Sequence, residues 1–343
     1  MSIILVILIF GIIITFHEFG HFIVAKLCKI TVNEFSVGMG PTLFKFVKGE
    51  TKYSIRLLPF GGFVSMEGED SDSEDSNAFC NKHILKRIAV VVAGSFMNLL
   101  LGFLVVLILS GNQEYITSNV ISQFEQGAQS QAQGLQVGDK ILKVNGSKTY
   151  VDNDISYVFS KSNNATFDFV VNRNGEKVLL SDVDLKDTQT GKIKIDFSIT
   201  ALEKNAPNLI DYSARKTVSV AKLIWSSLAD MVKGKVSLDE VSGPIGVVQT
   251  VDDTINSAKE NGISIFDAIL TIIAFLTVNI GIFNLLPIPA LDGGRLLFLL
   301  IEFVIRRKIP AKYETAIHLA GFGILIILTI IVAFNDILKL IGV

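Results

Sequence analysis

The sequence predicts an α-helical polytopic membrane protein of four transmembrane helices, with a β-hairpin element and one inserted α+β domain. Three observations lead there. Half of the 343 residues are hydrophobic and the mean hydropathy is +0.50, too apolar for an ordinary water-soluble enzyme. Apolar residues gather into runs at 3–27, 84–109, 263–286 and 316–334, each near the roughly 20 residues that cross about 30 Å of hydrocarbon. Between the second and third runs, residues 111–200 change to the composition of a soluble, β-rich domain.

Composition also excludes some classes. A net charge of −2 leaves no basic surplus, so no nucleic-acid partner is expected. Cys28 and Cys80 are the only cysteines and lie outside any C-x-x-C pattern, which argues against a disulfide framework or a thiolate metal site. The first apolar run lacks a basic leader and a small-residue cleavage site, so it is read as a retained span and not as a signal peptide.

That first span holds His17, Glu18 and His21, an H-E-x-x-H pattern inside the otherwise apolar stretch 12–26. Residues four apart share one helix face, so His17 and His21 can offer two imidazole nitrogens to one Zn²⁺. Glu18 then lies beside the metal, placed to take a proton from an attacking water, which points to peptide-bond hydrolysis. The plain alternative is three polar residues satisfied by neighbouring helices. Against it, burying Glu18 at membrane depth costs roughly 2.5–3.5 kcal/mol unless something uses the charge.

From Lys29 to Arg87 the chain turns polar and carries Lys45, Lys48, Lys52, Arg56, Lys82 and Lys86, which places this loop in the cytoplasm and the N-terminus outside. Stretches 35–49 and 51–64 alternate between Gly and Pro positions and read as hairpin strands, either a plain hairpin or one whose edge meets an extended substrate. Residues 67–76 are acidic and read as a flexible solvated connector. In the second span Ala93, Gly94 and Ser95 allow close helix approach, and Asn98 either bonds a neighbouring helix or acts at the site.

In the inserted domain Asn145-Gly146 and Asn174-Gly175 are hairpin turns, and 141–144, 165–171 and 177–180 suit strands. Residues 216–231 read as a surface helix at the membrane interface, with Trp225 as anchor, or as a connector helix. The third span runs into Pro287 and Pro289, which must break it and expose backbone tolerated only against protein or a polar cavity. Asp292 at that break needs a cation, and a His₂ metal needs a third ligand; Arg295 is the competing partner for its charge. Arg306, Arg307, Lys308 and Lys312 mark a second cytoplasmic loop, so the C-terminus returns outside, and His318 in the last span is read as packed or interfacial.

The combination of His17-Glu-Phe-Gly-His21, Gly94-Ser-Phe-Met-Asn98 and Asn284-Leu-Leu-Pro-Ile-Pro-Ala-Leu-Asp292-Gly resembles the site-2 protease family of intramembrane zinc metalloproteases in its bacterial group. Gly61-Gly62, Ser242-Gly243-Pro244-Ile245-Gly246 and Phe334-Asn335-Asp336 extend the likeness over most of the chain. It implies one Zn²⁺ per chain on His17, His21 and Asp292, with Glu18 activating water. It also implies substrate contacts at Asn98, Asn284, Gly61 and Gly62, the glycines lying in a membrane-associated β element that pairs with unwound substrate. Residues 127–146 resemble the core of a PDZ domain, with Gln129 and Gln133 where the family pattern has proline and alanine. One such extracytoplasmic domain fits the length, acting as a filter for substrates already trimmed outside.

The expected organisation is therefore a first span (1–27), a cytoplasmic loop (28–83), a second span (84–110), a PDZ-like domain (111–200), an interfacial connector (201–262), a third span (263–301), a short cytoplasmic loop (302–312) and a fourth span with the C-terminus (313–343). The implied substrates are single-pass membrane proteins, anti-sigma factors or remnant signal peptides, cut within the bilayer near its cytoplasmic side after an upstream site-1-type protease. Two other classes compete: a non-hydrolytic membrane binding protein, which would not need Glu18, and a metal-ion transporter, which would need a continuous polar route that the first and last spans do not offer.

Overall fold

The computed structural model describes residues 2–187, 190–235 and 243–340, and the chain divides into two compact units, Met1–Val105 with Ile224–Val343, and Val106–Leu223. Along the chain run α1 (Ser2–Leu27), β1 (Val32–Lys48), β2 (Thr51–Met66), α2 (Ile84–Asn112), β3 (Ile116–Phe124), the short α3 (Gln129–Ala132), β4 (Lys140–Val144), β5 (Ser147–Lys148) and α4 (Asp152–Ser160). They are followed by β6 (Thr166–Arg173), β7 (Glu176–Asp184), β8 (Phe197–Leu202), α5 (Ala206–Val232), α6 (Pro244–Glu260), α7 (Ile265–Phe283), α8 (Asp292–Ile305) and α9 (Ala311–Leu340). Among the described residues four helices are long and apolar enough to cross a membrane: Ile3–Leu27, Ile84–Asn112, Ile265–Phe283 and Lys312–Lys339. The protein is polytopic in the membrane, with strands between its spans.

In the first unit α1 is the central helix. Its N-terminal half packs Val6, Ile9 and Ile13 against Val251 of α6 and Ile272 and Leu276 of α7. Its C-terminal end packs Ala25 with Ile30, Phe79, Val90 and Leu299, joining it to α2 and α8. Two glycines permit backbone contact: a Cβ at Gly11 would strike the Pro59 carbonyl of β2, and one at Gly20 would strike the Ala93 carbonyl of α2. Backbone of β2 and of α2 thus lies directly against the helix at these two positions.

β1 and β2 are more than a hairpin. Residues 42–48 pair with 51–56 across the tight turn, while 32–37 pair on one side with 52–55 and on the other with 62–66. Positive φ at Gly38, Gly40 and Gly61 bends the two long strands so that 32–37 lies in the middle. The segment 62–66 is then an edge, with no other strand beside it among the described residues.

The third apolar run splits as its prolines require: α7 ends at Phe283 and α8 starts anew at Asp292. At membrane depth the intervening backbone must find partners, and it does so locally. Gly293 N–H donates to Asn284 O at 2.6 Å, Ile288 N–H to Leu286 O at 2.7 Å and Ala290 N–H to His318 Nδ1 at 3.0 Å. Gly293 and Gly294 are required here, because Cβ atoms would run into the carbonyls of Leu286 and Ile288. At the other end of the unit Asp336 of α9 accepts the N–H groups of Gly243 and Gly246 at 3.2 and 2.9 Å, capping α6. This gives the Gly243–Gly246 and Asn335-Asp336 motifs a shared structural task; Ser242 lies outside the described residues.

The acidic stretch 67–76 differs from its expected form as a flexible connector. Glu67 accepts from Asn33 (3.0 Å) and Ser73 (2.8 Å), Asp75 accepts from Thr31 (2.7 Å), and Glu69 and Asp70 each lie 2.5 Å from the Arg295 guanidinium. Its carboxylates find donors on β1 and α8, so the charge run is pinned and not merely solvated.

The second unit is an antiparallel sheet in the order β7-β6-β4-β3-β8, with β5 on β4. Strands expected at 141–144, 165–171 and 177–180 are β4, β6 and β7. Asn145-Gly146 and Asn174-Gly175 make the turns with positive φ at all four residues. The core holds Ile121, Leu135, Ile141, Phe167, Phe169 and Val171. Asp139, fully buried, is held by a bidentate Arg173 at 2.8 and 2.7 Å. The helix expected over 216–231 begins earlier, at Ala206. Within this unit Tyr212 packs on Ile116 and Val151, and Ser219 Oγ donates to buried Asp154 at 2.9 Å.

Candidate metal centre

Three electron-pair donors converge where α1 meets the start of α8. His17 Nε2 and His21 Nε2 are 3.1 Å apart, and Asp292 Oδ2 lies 3.0 Å from the first and 3.3 Å from the second. A tetrahedral ion with ligand bonds of about 2.0–2.1 Å spaces its ligand atoms roughly 3.3–3.4 Å apart. The three observed edges match that figure closely.

The outer partners explain why these atoms carry lone pairs. His21 Nδ1 is 2.8 Å from the Val90 carbonyl of α2, and a carbonyl only accepts, so Nδ1 carries the proton and Nε2 is left free. His17 Nδ1 lies 3.3 Å from the Asn98 amide, whose Oδ1 is otherwise buried without a partner. Turning that amide so that Oδ1 accepts from Nδ1–H satisfies both groups and frees His17 Nε2. Asp292 Oδ2 is buried and accepts no hydrogen bond. Converging lone pairs with no proton between them call for a cation, and two imidazoles with one carboxylate suit Zn²⁺.

Gly94 makes room for the centre. A Cβ on it would collide with His21 Nε2 and lie 2.7 Å from both Cε1 and Nε2 of His17. From sequence Gly94 is a small residue that permits close helix approach and the start of the Gly94-to-Asn98 motif. Its spacing of four from Asn98 puts both on the face of α2 turned to the histidines, and that spacing was the available signal.

Glu18 sits beside this cluster, and its Oε2 accepts the Val64 N–H of β2 at 3.0 Å. Val64 belongs to the unpaired edge 62–66, and a cavity of about 260 Å³ is lined there by Glu18, His21, Phe63, Val64, Asp292 and His318. Gly62 is packed between the Ser36 carbonyl, 2.7 Å from where its Cβ would be, and Glu18 Cγ at 3.8 Å; Gly61 has φ +76° at the bend. Asn284, half-buried, brings its amide to 3.5 Å from His17 Nε2. Asn98, expected as a substrate contact, is fully buried behind His17 and is not on the cavity wall.

The two readings of Asp292 separate in the structure. Arg295 does not pair with it: its guanidinium is 2.5 Å from Glu69, 2.5 Å from Asp70 and 3.5 Å from Glu314. Those carboxylates occupy the competing cation, and Asp292 is left for the histidines.

Comparison with known proteins fits this geometry. The profile described as peptidase family M50 matches residues 5–328. A provisionally named zinc metalloprotease of Fusobacterium nucleatum is 38% identical over 352 aligned residues, covering 99% of each chain. The regulator of sigma-W protease RasP of Bacillus subtilis is 30% identical over 424 aligned residues, again 99% of each, and the zinc metalloprotease RasP of Bacillus licheniformis is 29% identical over 426. Matches of this length, over a chain that brings its H-E-x-x-H helix to a distant Asp-Gly, show that the chain belongs to peptidase family M50, the site-2 type of membrane metalloprotease.

Proposed function

We propose that this enzyme cuts peptide bonds within the transmembrane segments of single-pass membrane proteins that an upstream site-1-type protease has already shortened. The enzyme is a zinc metalloprotease of the cell membrane acting on membrane-protein substrates. The observation that carries the finer reading is the meeting of His17, His21, Asp292 and Glu18 with an open sheet edge at 62–66.

In this reading His17, His21 and Asp292 hold the metal, and Asn98 orients His17 through Nδ1. Zn²⁺, when bound, acidifies a water and polarises the scissile carbonyl. Glu18 takes the water's proton and returns it to the leaving nitrogen. Its tie to Val64 N–H fixes the carboxylate beside the edge, so a substrate strand added at 62–66 runs past the base. A helix hides its peptide bonds in its own hydrogen bonds, and pairing with an edge supplies replacements for an unwound segment. Asn284 and the bend at Gly61-Gly62 hold that segment near the metal.

The lysine- and arginine-rich loops put the site towards the cytoplasmic side and both termini outside. The 106–223 unit, an antiparallel sheet with helices, is read as the PDZ-like extracytoplasmic filter for trimmed substrates, of the anti-sigma factor or remnant signal peptide class.

The test is purified protein in detergent with a panel of tagged single-span substrates, wild type against Glu18→Gln and Asp292→Asn. Loss of a general base costs typically 10²–10⁴-fold, so cleavage should fall by that much in Glu18→Gln with Zn²⁺ retained. In Asp292→Asn both should be lost. Stoichiometric Zn²⁺ in wild type without cleavage of any pre-trimmed substrate would refute the reading.

A further inference from the structure

We infer that His318 is a positioning residue of the metal centre, holding in place the loop that carries Asp292. The inference rests on Asp292 being a metal ligand, as proposed above.

α9 exposes Ile317, Leu319, Phe322, Ile324 and Ile327, and is held at its two ends by Glu314 near Arg295 and by Asp336 on α6. It also touches the proline loop at two adjoining places. His318 Nδ1 lies 3.0 Å from the Ala290 nitrogen, and Gly321 meets Pro289 so closely that a Cβ would lie 3.0 Å from the Pro289 carbonyl carbon and oxygen. One turn of α9 therefore grips Pro289 and Ala290, immediately before Leu291 and Asp292.

The gripped residue is strained. Ala290 has φ +75°, a left-handed conformation that an L side chain rarely adopts unless its surroundings impose it. Its N–H is the one donor of the turn that goes to a side chain; Ile288, Leu291, Gly293 and Gly294 donate to backbone carbonyls of the same loop. An N–H only donates, so Nδ1 of His318 carries a lone pair and serves as acceptor. That acceptor pays the strain of Ala290 and sets the direction in which Asp292 leaves the turn. Among the described residues nothing else accepts the Ala290 N–H.

The experiment is zinc retention by the purified full chain under competition with a graded chelator, with circular dichroism as the check on fold. Removing a group that orients a ligand typically weakens metal binding 10–100-fold, and His318→Phe, which keeps a ring but no acceptor, should do so. His318→Asn places an oxygen near the old Nδ1 and should recover most of the loss. Ala290→Gly removes the left-handed penalty, so the double variant Ala290→Gly/His318→Phe should hold Zn²⁺ several-fold better than His318→Phe alone. Wild-type affinity in His318→Phe would overturn the inference. So would a loss that neither His318→Asn nor Ala290→Gly repairs, since ring volume and not the acceptor would then be responsible. Asp292→Asn run alongside separates the two readings: if it too keeps Zn²⁺, the ligand assignment fails, and if it alone loses Zn²⁺, only the role of His318 fails.

Discussion

The protein contains two sheets that differ in what they bury. The sheet of β3, β4 and β6 to β8 buries Phe167, Phe169 and Val171 in a core of its own. The sheet of β1 and β2 leaves Leu43, Phe44, Phe46, Val47, Ile55 and Leu57 exposed. Its polar residues are gathered instead at the end near α1, where Glu34 meets Lys52, Ser54 and Arg56. An aqueous sheet with that surface would aggregate; in the function proposed above it lies against lipid and keeps its 62–66 edge beside Glu18.

The sharpest way to break this comparison is at the edge. Val64→Pro removes the N–H that holds Glu18 in place, and misplacement of about 1 Å can cost on the order of 10²-fold in rate. Cleavage should fall by about that factor while bound Zn²⁺ stays stoichiometric, read by metal analysis and a gel assay. Next is Gly94→Ala, where the methyl invades the histidine pair: Zn²⁺ and cleavage should both drop by at least ten-fold, about 1.4 kcal/mol.

The sheet of the 106–223 unit should respond in stability instead. Phe169→Ala should cost about 3–5 kcal/mol, and Asp139→Ala, which takes away the buried carboxylate that accepts from Arg173 and the Gln136 N–H, about 1.5–3 kcal/mol; limited proteolysis would locate either loss in the 106–223 unit. Phe44→Ser on the exposed face should change detergent-phase stability by less than about 0.5 kcal/mol. Equal losses from Phe44→Ser and Phe169→Ala would erase the distinction between the sheets.

The smallest effect is pH-dependent. Burial alone would raise the Glu34 carboxyl, but hydrogen bonds from Ser54, Arg56 and Lys52 outweigh it and bring it down from 4.5 to about 2. A depressed carboxylate stabilises the fold fully above its unfolded value and ceases to as pH falls through its folded value. The melting gap between wild type and Glu34→Gln should therefore be constant near neutrality and close between about pH 4.5 and 2. A gap that widens on acidification would contradict the ion-pair network.

Much of the metal centre was legible because its logic is local or electrostatic. The four-residue spacing of His17 and His21 fixes a shared helix face, and a carboxylate at a proline break inside an apolar run demands a cation. The loss of Arg295 as a competitor could not be read, because its partners Glu69 and Asp70 lie more than two hundred residues away. Alternation marked 35–49 and 51–64 as strands, but it carries no information on which stretch pairs with which, so the central placing of 32–37 was out of reach. Gly94 and His318 were passed over for another reason: a glycine in an apolar helix and a lone histidine near a span's end look alike whether they pack or position.

The central placing of 32–37 has a mechanical consequence. Only residues 28–31 separate it from the end of α1, so the edge at 62–66 is linked through one intervening strand to the helix that bears His17, Glu18 and His21. If substrate adds to that edge as proposed, it would load the piece of chain that carries the metal-binding face. Capture of the substrate and alignment of its bond would then be a single displacement, with little slack between the hand that grips and the blade that cuts.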